Sequence, residues 1–472
     1  MGVQGRPFDT RRAGVLLHVT SLPGDGHTSG AGDLGDAAYR FVDFLAAAGC
    51  SVWQVLPLVP THPEDGSPYN ALSAMAGNPA LISRAHRAAH GLETPAALDE
   101  AQRSDFASWC SAQAAWLDPY VEFTALRELH GGAPWLDWPP SLRDRDPRAV
   151  AAALFPLQDR VRSLRFEEWV FAVQWARLRE HAAAQGVLLF GDLPIFVSLD
   201  SADVWASREL FELGEDGRPT TVTGCPPDYF AADGQRWNNP HYDWDAMAAD
   251  GYAWWRRRIA RQRELFDLVR IDHFRGFEAA WHVPADAPTA RDGRWVPGPG
   301  ADVLAALVDA AGPGTLVAED LGVITTEVDE LRVRFGLPGM KVLQFAFDGD
   351  LDNVYLPRHH GEQSVVYTGT HDNDTTLGWW ELSDERTREQ VRSCLADPDE
   401  PMPWALIRLA LASPARLGVV PAQDLLGLGS GSRMNTPGTA DGNWAWQAPA
   451  GAFDDALAAR LRTLVEATDR LP

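Results

Sequence analysis

Short runs of β-branched and apolar residues, each closing on polar positions, recur along the chain, and stretches of helical period fill several of the intervals. The first run is Ala13–Ser21. A helix is predicted behind it from Asp33, with Leu34, Ala38, Phe41, Leu45 and Ala48 on one face and Gly49 as its stop. The second run is Val52–Leu58. The third, Leu188–Val197, follows a helical pattern from about Phe166 to Ala184, and the fourth, Leu268–Gly276, follows one over Tyr252–Phe266. The fifth is Thr315–Gly322; its helix is capped at Thr325 or Thr326 and stopped by Gly336 and Pro338. Lys341–Phe347, Val365–Asp372 and Val419–Gly427 complete the series.

Apolar runs of this kind, alternating with helices, predict parallel strands joined by crossover helices, and eight such units close a (β/α)8 TIM barrel. A doubly wound open sheet is the alternative. It calls for a glycine-rich turn directly off the first strand, whereas Gly30, Gly32 and Gly35, which have the letters of a dinucleotide fingerprint, come after an intervening loop. Two intervals are too long for simple crossovers. Residues 59–187, after the second strand, read as mostly helical, Ala112–Leu129 among them. Residues 198–267, after the third, are rich in Gly, Pro, Asp and Trp. Both leave the C-terminal ends of strands, the face on which barrel enzymes build their sites. The reading is one catalytic barrel over residues 1–472, with insertions at 59–187 and 198–267 over the active-site mouth.

Composition narrows the function. A formal net charge of -24 disfavours phosphate backbones and anionic membranes as partners. Cys50, Cys110, Cys225 and Cys394 have neither metal-ligand nor CxxC spacing, so no zinc site or redox dithiol is expected, and free thiols suit a reducing compartment. The first residues have no apolar stretch of the signal-peptide kind. Gly2 is followed at position 6 by Arg, which fails the myristoylation pattern, and no run of about 18 apolar residues occurs. A cytoplasmic protein without nucleic-acid or membrane partners is expected. Asp348–Asp352 resembles the start of a calcium loop but lacks its later Gly and Glu, so neither metal nor other cofactor is expected.

Three carboxylates fall where barrel chemistry would need them. Asp272 lies in the fourth run, Glu319 in the fifth and Asp372 at the end of the seventh, so all three are expected in one bowl. Buried carboxylates are costly unless used. A retaining glycosyl transfer uses one as nucleophile and another as acid and then base. Arg270, two residues from Asp272 on the same strand face, is expected to keep that carboxylate ionised. Glu319, behind Leu316-Val317-Ala318, has an apolar setting that favours its protonated form. Asp320 points the other way in a strict strand. Asp372, beside His371, is suited to sugar hydroxyls and to an oxocarbenium-like charge.

With these residues in view the chain resembles the amylomaltase (4-alpha-glucanotransferase, or disproportionating enzyme) family, within the wider α-amylase-like group of retaining enzymes. The motifs that carry the resemblance are SPYNALSAMAGNPALI (67–82), GDLPIFV (191–197), PPDYFAADGQRWNNP (226–240), RIDHFRGFE (270–278), AEDLGVIT (318–325), GLPGMKVLQFAFD (336–348), YTGTHDNDTT (367–376) and QDLLGLGSGSRMNTPGTADGNWAW (423–446). They span nearly the whole chain. The resemblance implies transfer of α-1,4-glucan segments between maltooligosaccharides, with Asp272 as nucleophile, Glu319 as acid/base and Asp372 as transition-state stabiliser. It implies sugar contacts from Tyr69, Asp192, Arg270 and His371 on the donor side. On the acceptor side it implies a loop bearing Tyr229, Phe230, Gln235 and Trp237, with Asn435 and Asn443 nearby; Asp320 is grouped with the substrate-binding set. Core packing is the plainer reading of Trp237, but its stretch is polar and glycine-rich. The sequence departs from the family pattern in the THPEDG loop before Ser67, in NVYLPRHH (353–360) and at Asn238, where Gly is usual. The residues alone leave a retaining α-glucan hydrolase open, because water and a sugar hydroxyl attack the same intermediate. A non-catalytic carbohydrate-binding protein would be expected to lack one of the three carboxylates.

Overall fold

Inward and outward positions alternate along strands whose two faces are both apolar, and this pattern builds a closed parallel sheet. The computed structural model describes residues 7–23, 31–227, 232–439 and 441–472. Its main sheet contains β1 (Arg12–Leu16), β2 (Val52–Gln54), β3 (Leu188–Pro194), β4 (Leu268–Asp272), β5 (Leu316–Ala318), β6 (Gly339–Val342), β7 (Ser364–Tyr367) and β8 (Leu417–Pro421). The order is β6-β7-β8-β1-β2-β3-β4-β5, and neighbouring strands in it pair in parallel. Read cyclically, that is a (β/α)8 barrel with its seam between β5 and β6. The seam is laced by the Ala318 N–H, which donates to the Pro338 carbonyl at 2.9 Å, and by the Met340 N–H, which donates to Asp320 Oδ1 at 2.6 Å.

All eight predicted runs contain a strand, but β6 and β8 start earlier than predicted. The ends of those two runs are instead helical turns, Leu343–Phe345 and Ala422–Leu425. A short apolar run does not by itself distinguish a buried strand from a buried helical turn. The predicted helices lie at Asp36–Ala47, Gln158–Ala184, Ala253–Leu265 and Thr326–Arg334, and Gly49 and Gly336 follow the first and last of them with φ of 73° and 64°. The interval 59–187 holds Glu100–Leu129, started by an Asp99–Gln102 capping box, packed against Gln158–Ala184. Over the other interval lies a second, antiparallel sheet in the order Gln235–Pro240, Thr221–Cys225, Ala279–Pro284, Arg294–Pro297. Two of its strands come from behind β4, so the insertion read only at 198–267 draws on the next βα loop as well.

Period-2 alternation sorts the barrel strands. Leu188, Phe190 and Leu268 join the cluster inside the barrel, whereas Leu189, Leu193, Val269 and Ile271 join the larger cluster outside it. Continuing the inward series places Asp192 at the top of β3, and Arg270 then Asp272 at the top of β4. The barrel is apolar below and charged above. Among the described residues, no helix is long and apolar enough to cross a membrane, and no group of three His, Cys, Asp or Glu side chains is placed to hold a metal ion.

The far end of the barrel is closed by the C-terminal segment. Arg470 is fully buried, and its guanidinium donates to the carbonyls of Leu411, Arg12, Ser413 and Ala415 at 2.6–2.9 Å. Arg470→Met keeps much of the stem but strands these acceptors. The expected cost is roughly 3 kcal/mol or more, read as an earlier midpoint in denaturant unfolding with an unchanged slope. A midpoint within error of wild type would show that water or relaxation satisfies them.

Candidate active site

The top of β4 carries Arg270 between two carboxylates. Its Nη1 donates to Asp192 Oδ2 at 2.6 Å and its Nη2 to Asp272 Oδ1 at 2.7 Å, while Nε faces Met340 Sδ at 3.4 Å. Burial lowers the affinity of this guanidinium for its proton, but Asp192 and Asp272 outweigh it and hold its pKa well above the ordinary value. Arg270 is therefore a fixed cation that orients Asp272 and leaves that side chain 28% exposed to the bowl. Asp192 also accepts from Tyr69 OH at 2.7 Å. Tyr69 rides on the segment 67–82, whose backbone is held from below. The Ala74 N–H donates to buried Asp203 at 2.7 Å and the Gly77 N–H to buried Glu168 at 2.8 Å.

Glu319 follows β5, next to β4 in the barrel. Its backbone N–H donates to the Ile271 carbonyl at 3.0 Å, which sets it beside Asp272. Glu319 is 8% exposed. Oε2 accepts from the His273 N–H at 2.7 Å and Oε1 from the Leu321 N–H at 2.8 Å. Burial, and then the charge of Asp272, push Glu319 up to about 8, against the opposing pull of Arg270 and the two N–H groups. A buried carboxyl whose pKa is raised, beside a second carboxylate oriented by a cation, fits the division of labour that acid-assisted glycosyl transfer requires.

Asp372 faces the same bowl from the loop after β7. It is more open, at 45% exposure; its Oδ1 accepts from Asn435 Nδ2 at 2.6 Å and lies 3.4 Å from His371 Nε2. The His371 ring stacks on Tyr69 at 5.1 Å and 7°, and Trp444 lies 5.7 Å from Tyr69 and 5.9 Å from His371. These three rings form an aromatic wall beside Asp192 and Asp372. Trp444, held at φ 63°, has no local signal of a site role, and only the fold brings it beside residues far away in the chain.

The other predicted residues divide into groups. Trp237 and Gln235 lie on the second sheet, joined by a Trp237 Nε1 to Gln235 Oε1 bond of 3.1 Å, and Trp237 meets His273 edge-on at 4.8 Å. Tyr229 and Phe230 fall outside the described residues. Asn435 reaches Asp372, whereas Asn443 pins its own loop by accepting from the Thr436 N–H and donating to Thr439. Asp320 lies apart from the bowl: its carboxylate laces the β5–β6 seam and pairs with Arg332 at 3.2 Å. Asn238 has φ 65°, the left-handed region that Gly adopts freely and that Asn tolerates. At Asp348 and Asp350 the carboxylates accept from the N–H groups of Asp350 and Asp352, which makes ordinary turns of the calcium-like stretch.

The sequence matches a protein family described as 4-alpha-glucanotransferase over residues 17–100 and 84–452. The 4-alpha-glucanotransferase of Thermus thermophilus is 48% identical, with 98% of this chain and 99% of the relative covered. The Synechocystis 4-alpha-glucanotransferase is 44% identical, with 97% and 98% covered. Among solved structures, the amylomaltase from Streptococcus agalactiae in complex with acarbose superposes with a TM-score of 0.93 at 32% identity, over 98% of this chain and 100% of that one.

Proposed function

Since the chain belongs to the 4-alpha-glucanotransferase family, we propose that Asp272, Glu319 and Asp372 carry its glucan transfer by double displacement. In this reading Asp272 attacks the anomeric carbon while Glu319 gives its proton to the departing glucan. Glu319 then takes a proton from the acceptor hydroxyl as that hydroxyl displaces Asp272. The observation that carries the reading is the pairing of Asp272, hydrogen-bonded to Arg270, with a buried Glu319 whose pKa is pushed up, at the tops of adjacent strands. Asp372, oriented by Asn435, supplies negative charge to the oxocarbenium-like transition state. Tyr69, His371 and Trp444 offer flat faces to donor rings, and Asp192 and Arg270 offer polar contacts. Gln235 and Trp237 are assigned to the acceptor side, with Tyr229 and Phe230 proposed on the same loop. The insertions around 59–187 and 198–267 are proposed to wall the cleft. Four free cysteines suit a reducing compartment, and a cytoplasmic location is part of the proposal.

Transfer conserves reducing ends, whereas each hydrolysis adds one. Maltotriose is expected to give glucose and longer oligomers with the total of reducing ends nearly constant. A rise that tracks glucose release would move the assignment to a hydrolase with the same machinery.

A further inference from the structure

His273, the residue after Asp272, touches both Glu319 and Trp237. His273 has φ 53° and ψ 47°, a left-handed conformation uncommon outside glycine, although Asn, Asp and His enter it more readily than other residues. That turn aims its N–H at Glu319 Oε2, 2.7 Å away. Its imidazole meets Trp237 edge-on at 4.8 Å and 85° and lies 6.1 Å from Phe196. The ring is boxed in. A Cβ on Gly276 would lie 3.2 Å from His273 Cδ2 and 2.9 Å from Ile195 Cδ1, and Gly276 N–H holds the His273 carbonyl at 2.9 Å. Among the described residues, Nε2 is buried with no hydrogen-bond partner. Burial holds the imidazole down to about 4, so it packs on Trp237 as a neutral ring rather than as a cation.

We propose that His273 is a positioning residue that ties the acceptor side to the acid/base: its ring seats Trp237, and its left-handed backbone holds the Glu319 carboxyl. A strained backbone kept at an active site needs a surrounding structure that enforces it. Here the enforcing contacts are the Trp237 and Gly276 neighbours of the ring. An acceptor sugar resting on Trp237 therefore bears, through one residue, on the group that must deprotonate that sugar. The proposal rests on the assignment of Glu319 as acid/base and of Trp237 to the acceptor side.

Two substitutions separate the ring from the backbone. Asn tolerates the left-handed region and keeps the N–H, so His273→Asn removes only the seat of Trp237. The KM for glucose as acceptor is expected to rise roughly tenfold, with a larger share of hydrolysis, while the basic limb of the pH profile stays in place. Val disfavours that region, so in His273→Val the N–H leaves Glu319. Because that bond favours the ionised carboxylate, its loss moves the basic limb to higher pH. In a double-mutant cycle, His273→Asn is expected to add little acceptor KM on top of Trp237→Ala, since both remove one contact. The cycle decides the matter even if the Val variant does not fold. A wild-type acceptor KM in His273→Asn, or effects that simply multiply with Trp237→Ala, would overturn the proposal. So would a folded Val variant whose limb coincides with that of Asn. Every variant here retains Glu319, so failure of the acid/base assignment shows separately, in the response of Glu319→Gln to an activated donor.

Discussion

Asp272→Asn is expected to fold normally and to lose transfer by on the order of 10⁵-fold, about 7 kcal/mol of barrier. The substitution is nearly isosteric. Asn still offers an oxygen to Arg270 Nη2, and Arg270 keeps its second carboxylate, Asp192, at 2.6 Å, so the buried cation is not left unpaired. What disappears is the negative oxygen that forms the covalent bond. Glu319 remains in place, held by the His273 and Leu321 N–H groups. The check is the initial rate on maltotriose beside a thermal or denaturant unfolding curve. A well-folded variant with a tenth of wild-type activity would remove Asp272 from the role of nucleophile.

Much of this arrangement was legible in the sequence because the barrel strands are apolar on both faces. A carboxylate in or just beyond such a run, as with Asp272 and Glu319, is conspicuous, and period-2 alternation puts Arg270 on the face of Asp272. What was not legible depends on contacts between distant segments. Asp320 reads as a neighbour of Glu319, but its carboxylate replaces a missing ladder bond between β5 and β6. The Ala279–Pro284 and Arg294–Pro297 strands are short and each ends on Pro, so the contribution of the loop after β4 to the second sheet carries no strong period. Trp444 and His273 take part through left-handed backbone conformations at residues other than Gly. No local pattern signals such a turn, because the surrounding packing imposes it.

Glu319→Gln is expected to divide the two halves of the reaction. The acid is needed only when the leaving group is poor. A glucan hydroxyl must be protonated as it departs, so maltotriose should lose on the order of 10³-fold or more in rate. A glycosyl fluoride leaves without a proton, so the variant should still form the covalent species on Asp272. Gln is not a base for the incoming hydroxyl, so that species should accumulate and be visible by mass spectrometry of the intact protein. The pH profile tests the same group independently. Glu319 acts first as an acid, so its protonated form is the competent one, and burial beside Asp272 holds its pKa at about 8. For wild type, kcat/KM on maltotriose is therefore expected to fall tenfold per pH unit above that value. Fluoride consumption by Glu319→Gln is expected to lack that limb, because the titrating group is gone. Equal losses on both donors, or a basic limb that survives the substitution, would assign the proton transfer to another residue and leave Glu319 with a binding role.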